Sequence, residues 1–239
     1  MTKAYEAWTV QEHGPLQQVD EGLLTVAGTI HMPLGNFPRR MTVARLESGD
    51  GVVYSAIALR EDEMQRLERF AQPRFMVVPN AHHRLDAGIW KQRYPGIRVI
   101  APAGARNEVE EVVPVDATDD VFDDAWVKLL PIAGVGDSEL ALSVERGDGR
   151  TLVTNDVIAH VAHPDGLGAQ VMARLLGFGV RAPQIPRLAR HWIRDKPALA
   201  AQFRDWAADE RLRRIVVSHG EVIEAPREAL LVLAESLDG

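Results

Sequence analysis

Cysteine is absent from the 239 residues. That excludes disulfides, thiolate-ligated zinc, iron–sulfur clusters and a thiol nucleophile, and it suits a reducing compartment. Long apolar runs are missing too: none approaches the roughly 20 uncharged residues a membrane-spanning helix needs. Residues 1–8 hold no basic cluster followed by an apolar stretch, so no signal peptide is expected and the cytoplasm is the default location. A basic face is not on offer either, since a net charge of -7 disfavours a general phosphate-backbone binder and hence a nucleic-acid partner. Ser138 and Ser218 lack the G-x-S-x-G setting of a nucleophile elbow, and Gly177-Phe178-Gly179 lacks the spaced third glycine of a dinucleotide fingerprint.

What remains is an ordinary globular composition. Hydrophobic residues at 46% and charged residues at 26% argue against disorder. No repeat or Pro/Gly/Ser-rich linker divides the chain, so one domain over residues 1–239 is expected. Residues 23–30 and 41–46 are rich in β-branched and apolar types, and residues 51–57 follow the turn signal Ser48-Gly49-Asp50-Gly51. Together they predict an antiparallel meander. Met64, Leu67 and Ala71 recur at helical spacing within residues 61–71. A buried strand at 75–78, a helix reaching Arg93 and a short strand at 98–100 then predict a parallel pairing. The five aspartates within residues 116–124 lack the alternating ligands and central glycine of a calcium loop and predict a solvated acidic loop. Strands at 127–132, 140–144, 151–153 and 215–217 follow, with helices from Pro197 and over 226–237. Strands then helix, twice over, give an α+β class: an αββα sandwich of two mixed sheets with flanking helices.

Four stretches of sequence resemble one family in the right order. The meander beginning Gly22-Leu23-Leu24 is similar to the N-terminal part of metallo-β-lactamase-fold proteins. Residues 75–78 running into Asn80-Ala81-His82-His83-Arg84-Leu85-Asp86 look like the strand and loop that carry the family's H-x-H-x-D-H motif. Thr151-Leu152-Val153-Thr154-Asn155-Asp156 resembles the strand ending in its metal-bridging Asp, and Val216-Val217-Ser218-His219 the strand ending in its final His. The resemblance implies a metal-dependent hydrolase, in which ions lower the pKa of a water and polarise a carbonyl or phosphoryl group.

The motif is incomplete. Asn80 stands in the first His position, His82 takes the second, Arg84 falls where the family has its Asp and Leu85 where it has its last motif His. No His follows the strand at 129–132, and Ser55-Ala56 replaces the usual carboxylate of the meander. A guanidinium in place of a carboxylate repels a divalent cation, so the resemblance implies a reduced, single-metal site rather than a pair of ions. His82, Asp156 and His219 would be its ligands, with His83 and Asp86 as replacements; Asp86 and Asp156 are the catalytic candidates. The ion would be zinc, iron or manganese, and the substrate a small ester, lactone, thioester or amide. Asn80, Arg84 and His31 are candidate substrate contacts. The alternative is a fold that has lost its metals and serves as a binding or assembly module, in which Arg40 or Arg84 binds an anion. Two further sets stand apart. His160 and His163 are spaced like a metal pair but are followed by Pro164. Arg187, Arg190, His191 and Arg194 form a basic stripe at helical spacing, a solvated face or a contact for an anionic substrate or partner.

Overall fold

The computed structural model describes residues 3–32, 35–164 and 166–238. Each sheet is drawn from its own half of the chain. In the first half, β1 (Gln17–Asp20), β2 (Leu23–Met32), β3 (Gly35–Arg45), β4 (Asp50–Tyr54), β5 (Gln72–Val77) and β6 (Arg98–Ile100) lie side by side in sequence order. The first four pair antiparallel through short turns. From β4 onward the pairing is parallel, which requires a crossover; α1 (Glu61–Phe70) and α2 (Ala87–Arg93) supply it. The second sheet runs β10 (Leu212–Val217), β9 (Gly149–Thr154), β8 (Leu140–Arg146), β7 (Val127–Pro131). Only β9 and β10 pair parallel there, and α4 (Gly166–Leu176) and α5 (Lys196–Ala208) lie between them in the chain. Two further helices, α3 (Arg106–Glu110) and α6 (Pro226–Glu235), complete the described elements.

Strand alternation distributes the apolar side chains over three layers. Val52, Tyr54, Phe75 and Val77 face the second sheet, where they meet Leu142, Val144, Val153 and Val216. Val53 and Met76, the residues between, turn outward onto Met64, Leu67, Ile89 and Trp90 of α1 and α2. On the far side Leu152, Ile215 and Val217 pack on Leu199, Phe203, Leu230 and Leu233 of α5 and α6. Helix, sheet, sheet, helix is therefore the observed order, as expected from the sequence. Local signals agree with it: Glu61, Asp62 and Glu63 open α1 where the helix dipole favours negative charge. Asp195 caps α5 by accepting from Ala198 N–H at 3.0 Å, with Pro197 in the first turn.

Two expectations need correction. The acidic segment is not simply solvated. Asp124 is buried and accepts from the N–H groups of Glu47, Trp126 and Val127, and Asp120 accepts from Phe122 and Leu129. Aspartate side chains compete well for loop N–H groups, which is why this run staples the β3–β4 turn to β7. The stripe from Arg187 to Arg194 does not form an α-helix: it holds one 3-10 turn, Ala189–His191.

Candidate metal centre

The three side chains that converge most closely, His83, Asp156 and His219, follow the C-terminal ends of β5, β9 and β10 at one edge of the sandwich. Thr154 pairs with Val217 across the parallel β9–β10 ladder, so Asp156 and His219, each two residues beyond that pair, emerge side by side. The loop after β5 delivers His83 from the other sheet; Leu140 N–H donates to Pro79 O at 3.0 Å and ties that loop to β8. The hairpin of β2 and β3 extends beyond the β4 pairing, which begins only at Thr42 of β3. Its overhang places Phe37 and Pro38 beside His219.

The three side chains touch. His219 Nε2 lies 2.9 Å from Asp156 Oδ1, His83 Nε2 lies 3.3 Å from the same oxygen, and the two Nε2 atoms are 3.1 Å apart. Among the described residues this is the one group of His, Cys, Asp or Glu whose donor atoms could hold an ion. The outer ring nitrogens are occupied. His219 Nδ1 is 2.8 Å from the carbonyl of Pro38, an acceptor only, and so carries the proton. His83 Nδ1 is 2.7 Å from Ser55 Oγ. In a neutral His219, Nδ1–H turned toward Pro38 leaves Nε2 as a bare lone pair aimed at the carboxylate. Such second partners orient metal-ligating imidazoles.

A second layer holds this set. Asn80 Nδ2 donates to Asp156 Oδ2 at 2.8 Å, while its Oδ1 accepts from the N–H groups of His82 and His83 at 2.9 and 3.3 Å. One amide thus fixes the loop to the aspartate. Glu139 lies behind it, accepting from Val157 N–H at 3.1 Å. Burial and the Asp156 charge push the Glu139 carboxyl well above the usual carboxylate range. Burial pushes Asp156 up as well, but His83 and His219 more than offset it and hold the carboxyl well below its ordinary value. Burial lowers His83 from the usual imidazole value despite Asp156. A neutral imidazole beside an ionised carboxylate is the protonation state in which both are ligands. Ser55 holds φ at 56°, rare for a residue with a Cβ, and its neighbours fix it there: its N–H donates to Val77 O at 3.0 Å.

VMB-1 superposes with a TM-score of 0.64 at 11% identity, over 97% of this chain and 100% of its own. A metallo-β-lactamase from Erythrobacter litoralis, crystallised with β-mercaptoethanol in the active site, gives 0.58 at 16% identity, over 92% of this chain and 96% of its own. The FIM-1 metallo-β-lactamase of Pseudomonas aeruginosa in its mono-zinc form gives 0.57 at 17%, over 96% and 98%. The chain has the metallo-β-lactamase fold. No protein-family signature and no curated sequence matches it.

Within the metallo-β-lactamase fold the expected residues separate into two groups. Asp156, His219 and His83 converge. His82, expected from the sequence as the second motif His, does not join them: its ring stacks on Trp192 at 4.7 Å and 26°. Asp86 is buried in an ion pair with Arg39 and accepts from Ala58 N–H at 2.9 Å. It ties the start of α2 to Arg39 of β3 and to the segment before α1, and stands outside the triad. Arg84 Nη1 pairs with Glu111 Oε2 at 2.8 Å, so its charge is met by a carboxylate near α3. Arg40 donates to Gly220 O at 2.7 Å and braces the turn after His219. The backbone of His31 pairs with Asn36 in the hairpin; its side chain lies outside the described set. Exposed His163 pairs with Glu221 at 2.8 Å, and His160 N–H donates to His219 O at 3.0 Å. Sequence reasoning missed Pro38, Glu139, Ser55 as a partner of His83, and the rings of Phe37 and Phe178 over His219. Of these only Glu139 carried a visible signal, a lone carboxylate directly before an apolar strand.

Proposed function

We propose that the protein is a hydrolase with a single metal ion held by His83, Asp156 and His219, acting on an ester, lactone, thioester or amide. One observation carries this reading: two imidazole Nε2 atoms and a carboxylate oxygen face one another within 2.9–3.3 Å while their outer atoms are already hydrogen-bonded. With His83, like His219, protonated on its outer nitrogen, the three facing atoms are acceptors that repel one another unless a cation lies among them. The donor set, two nitrogens and one oxygen, suits zinc and also iron or manganese, and three protein ligands leave a position open. When bound, such an ion supplies Lewis acidity toward a carbonyl and acidifies water. This chain's own residues then have separate tasks. Asn80 keeps Asp156 turned toward the histidines. Ser55 and Pro38 fix the two rings. Phe37 and Phe178 exclude solvent from His219.

A second reading, a metal-free binding module, draws on the closeness of the site. The hollow lined by His82, His83, Ser55 and Arg39 measures about 30 Å³, room for about one water. A proton shared by His219 and Asp156 would satisfy the same contact. Metal analysis of protein purified without chelator separates the two. The hydrolase reading expects about one zinc, iron or manganese per chain, lost in His219→Ala and in His83→Ala, and turnover of a carboxylic or thioester panel that chelator abolishes. Protein that stays metal-free after soaking with each ion removes it.

A further inference from the structure

Away from the triad, the arginines of the basic stripe gather around a cavity. Arg187 and Arg190, with Arg174 from α4, rim a hollow of about 590 Å³ between residues 182–190 and α6. Its walls include Ile185, Val232 and Leu233. An adjoining hollow of about 200 Å³ shares Arg174 and Gln184 and adds Arg181. No carboxylate side chain lines either among the described residues.

That absence is informative because the chain has 34 acidic residues against 27 Lys and Arg. Arg93, Arg106, Arg150, Arg204 and Arg214 all sit within reach of carboxylates. Arg174, Arg181, Arg187 and Arg190 have no ion-pair partner among the described residues. Four like charges brought together without a counter-charge repel, and an anion relieves that. Two of them are also held in place. Arg187 donates to Leu175 O at 2.9 Å, and Arg190 to Ser236 O and Oγ at 3.4 and 3.3 Å. These bonds meet two carbonyls and one hydroxyl at the C-terminal ends of α4 and α6 and use a minority of the five N–H groups each guanidinium carries. The remaining donors form a fork suited to phosphate or carboxylate. The volume falls within the roughly 300–1,000 Å³ of small-molecule sites. It exceeds what a bare inorganic ion fills, and the apolar walls would bury a hydrocarbon body.

We infer that this cavity binds a small organic anion, a phosphate or carboxylate head on an apolar body, seated between Arg174, Arg187 and Arg190. The inference is independent of the proposed hydrolase activity. Isothermal titration with octyl phosphate below its micellar concentration tests it, with inorganic phosphate, octanol and phosphatidylglycerol vesicles as further titrants. The expected result is one octyl phosphate per chain, held at least tenfold more tightly than phosphate or octanol. Arg174→Gln, an exposed position without a partner among the described residues, should weaken it about tenfold, and His219→Ala should leave it unchanged. Equal affinity for phosphate alone, undiminished binding in Arg174→Gln, or a response to vesicles only would each overturn the inference; the last would make the face a membrane contact.

Discussion

At the scale of single residues the site is governed by which atoms are already engaged. His83 titrates below its usual 6.5 because it is buried, and Asp156 below its usual 3.8 because the two histidines outweigh burial. The consequences for stability share one sign. Below pH 6.5 the unfolded chain protonates His83 while the folded chain does not, so acid favours unfolding. The ionised Asp156 adds stability that persists above 3.8 and is lost as pH falls through its lowered folded value. With chelator present, urea stability should fall by up to about 1.4 kcal/mol per pH unit below 6.5 from His83 alone. His83→Gln should flatten that part of the profile; an unchanged slope would contradict the assignment. Asp86 supports a different expectation. Its partner Arg39 is equally buried, so Asp86→Asn leaves an uncompensated charge and should cost about 3–5 kcal/mol in denaturant titration. The pair Arg39→Met with Asp86→Leu should recover most of this. Metal content should survive both, because Asp86 lies outside the triad.

At the scale of elements, the turn after β10 matters most to His219. Gly220 has φ near 110°, and a Cβ there would stand 1.9 Å from His160 O. His160 is bound to this turn twice, through its N–H to His219 O and through its carbonyl to Glu221 N–H. Gly220→Ala should therefore lower stability by more than about 2 kcal/mol and weaken metal uptake together, read by urea titration and metal analysis. The strands themselves were legible in sequence because alternation and β-branched runs report burial directly; Val52 to Tyr54 and Phe75 to Val77 are examples. Asp156 and His219 were legible through the family resemblance, which places ligands just beyond such runs. The loop after β5 was not. With Asn80 in register, motif spacing favours His82, yet loop geometry turns His83 inward and leaves His82 to Trp192, a partner 110 residues away that periodicity does not reveal. The carboxylate Asp86 reads as a ligand until Arg39, on a distant strand, is seen to claim it. Helix α4 was missed because its glycines at 166 and 168 dilute the helical signal.

At the scale of the whole molecule, the two sheets meet through apolar contacts between them and through a few polar ties at the edge that holds the site. An ion bound by His83 from one sheet and by Asp156 and His219 from the other would add a further bond between the layers. Metal at about a hundred times its dissociation constant contributes about 2.7 kcal/mol, so chelation should lower the melting temperature by about 5–10 °C for a chain of this size. His219→Ala should start at the lower temperature and show no response to chelator.

Contiguity of each sheet has a further consequence. Every strand of the first sheet precedes every strand of the second, so one cut in the connecting segment between Ile100 and Val127 divides neither. Expressed as two pieces, the halves would each carry part of the triad, and their reassembly would become an event that answers to the concentration of divalent ions.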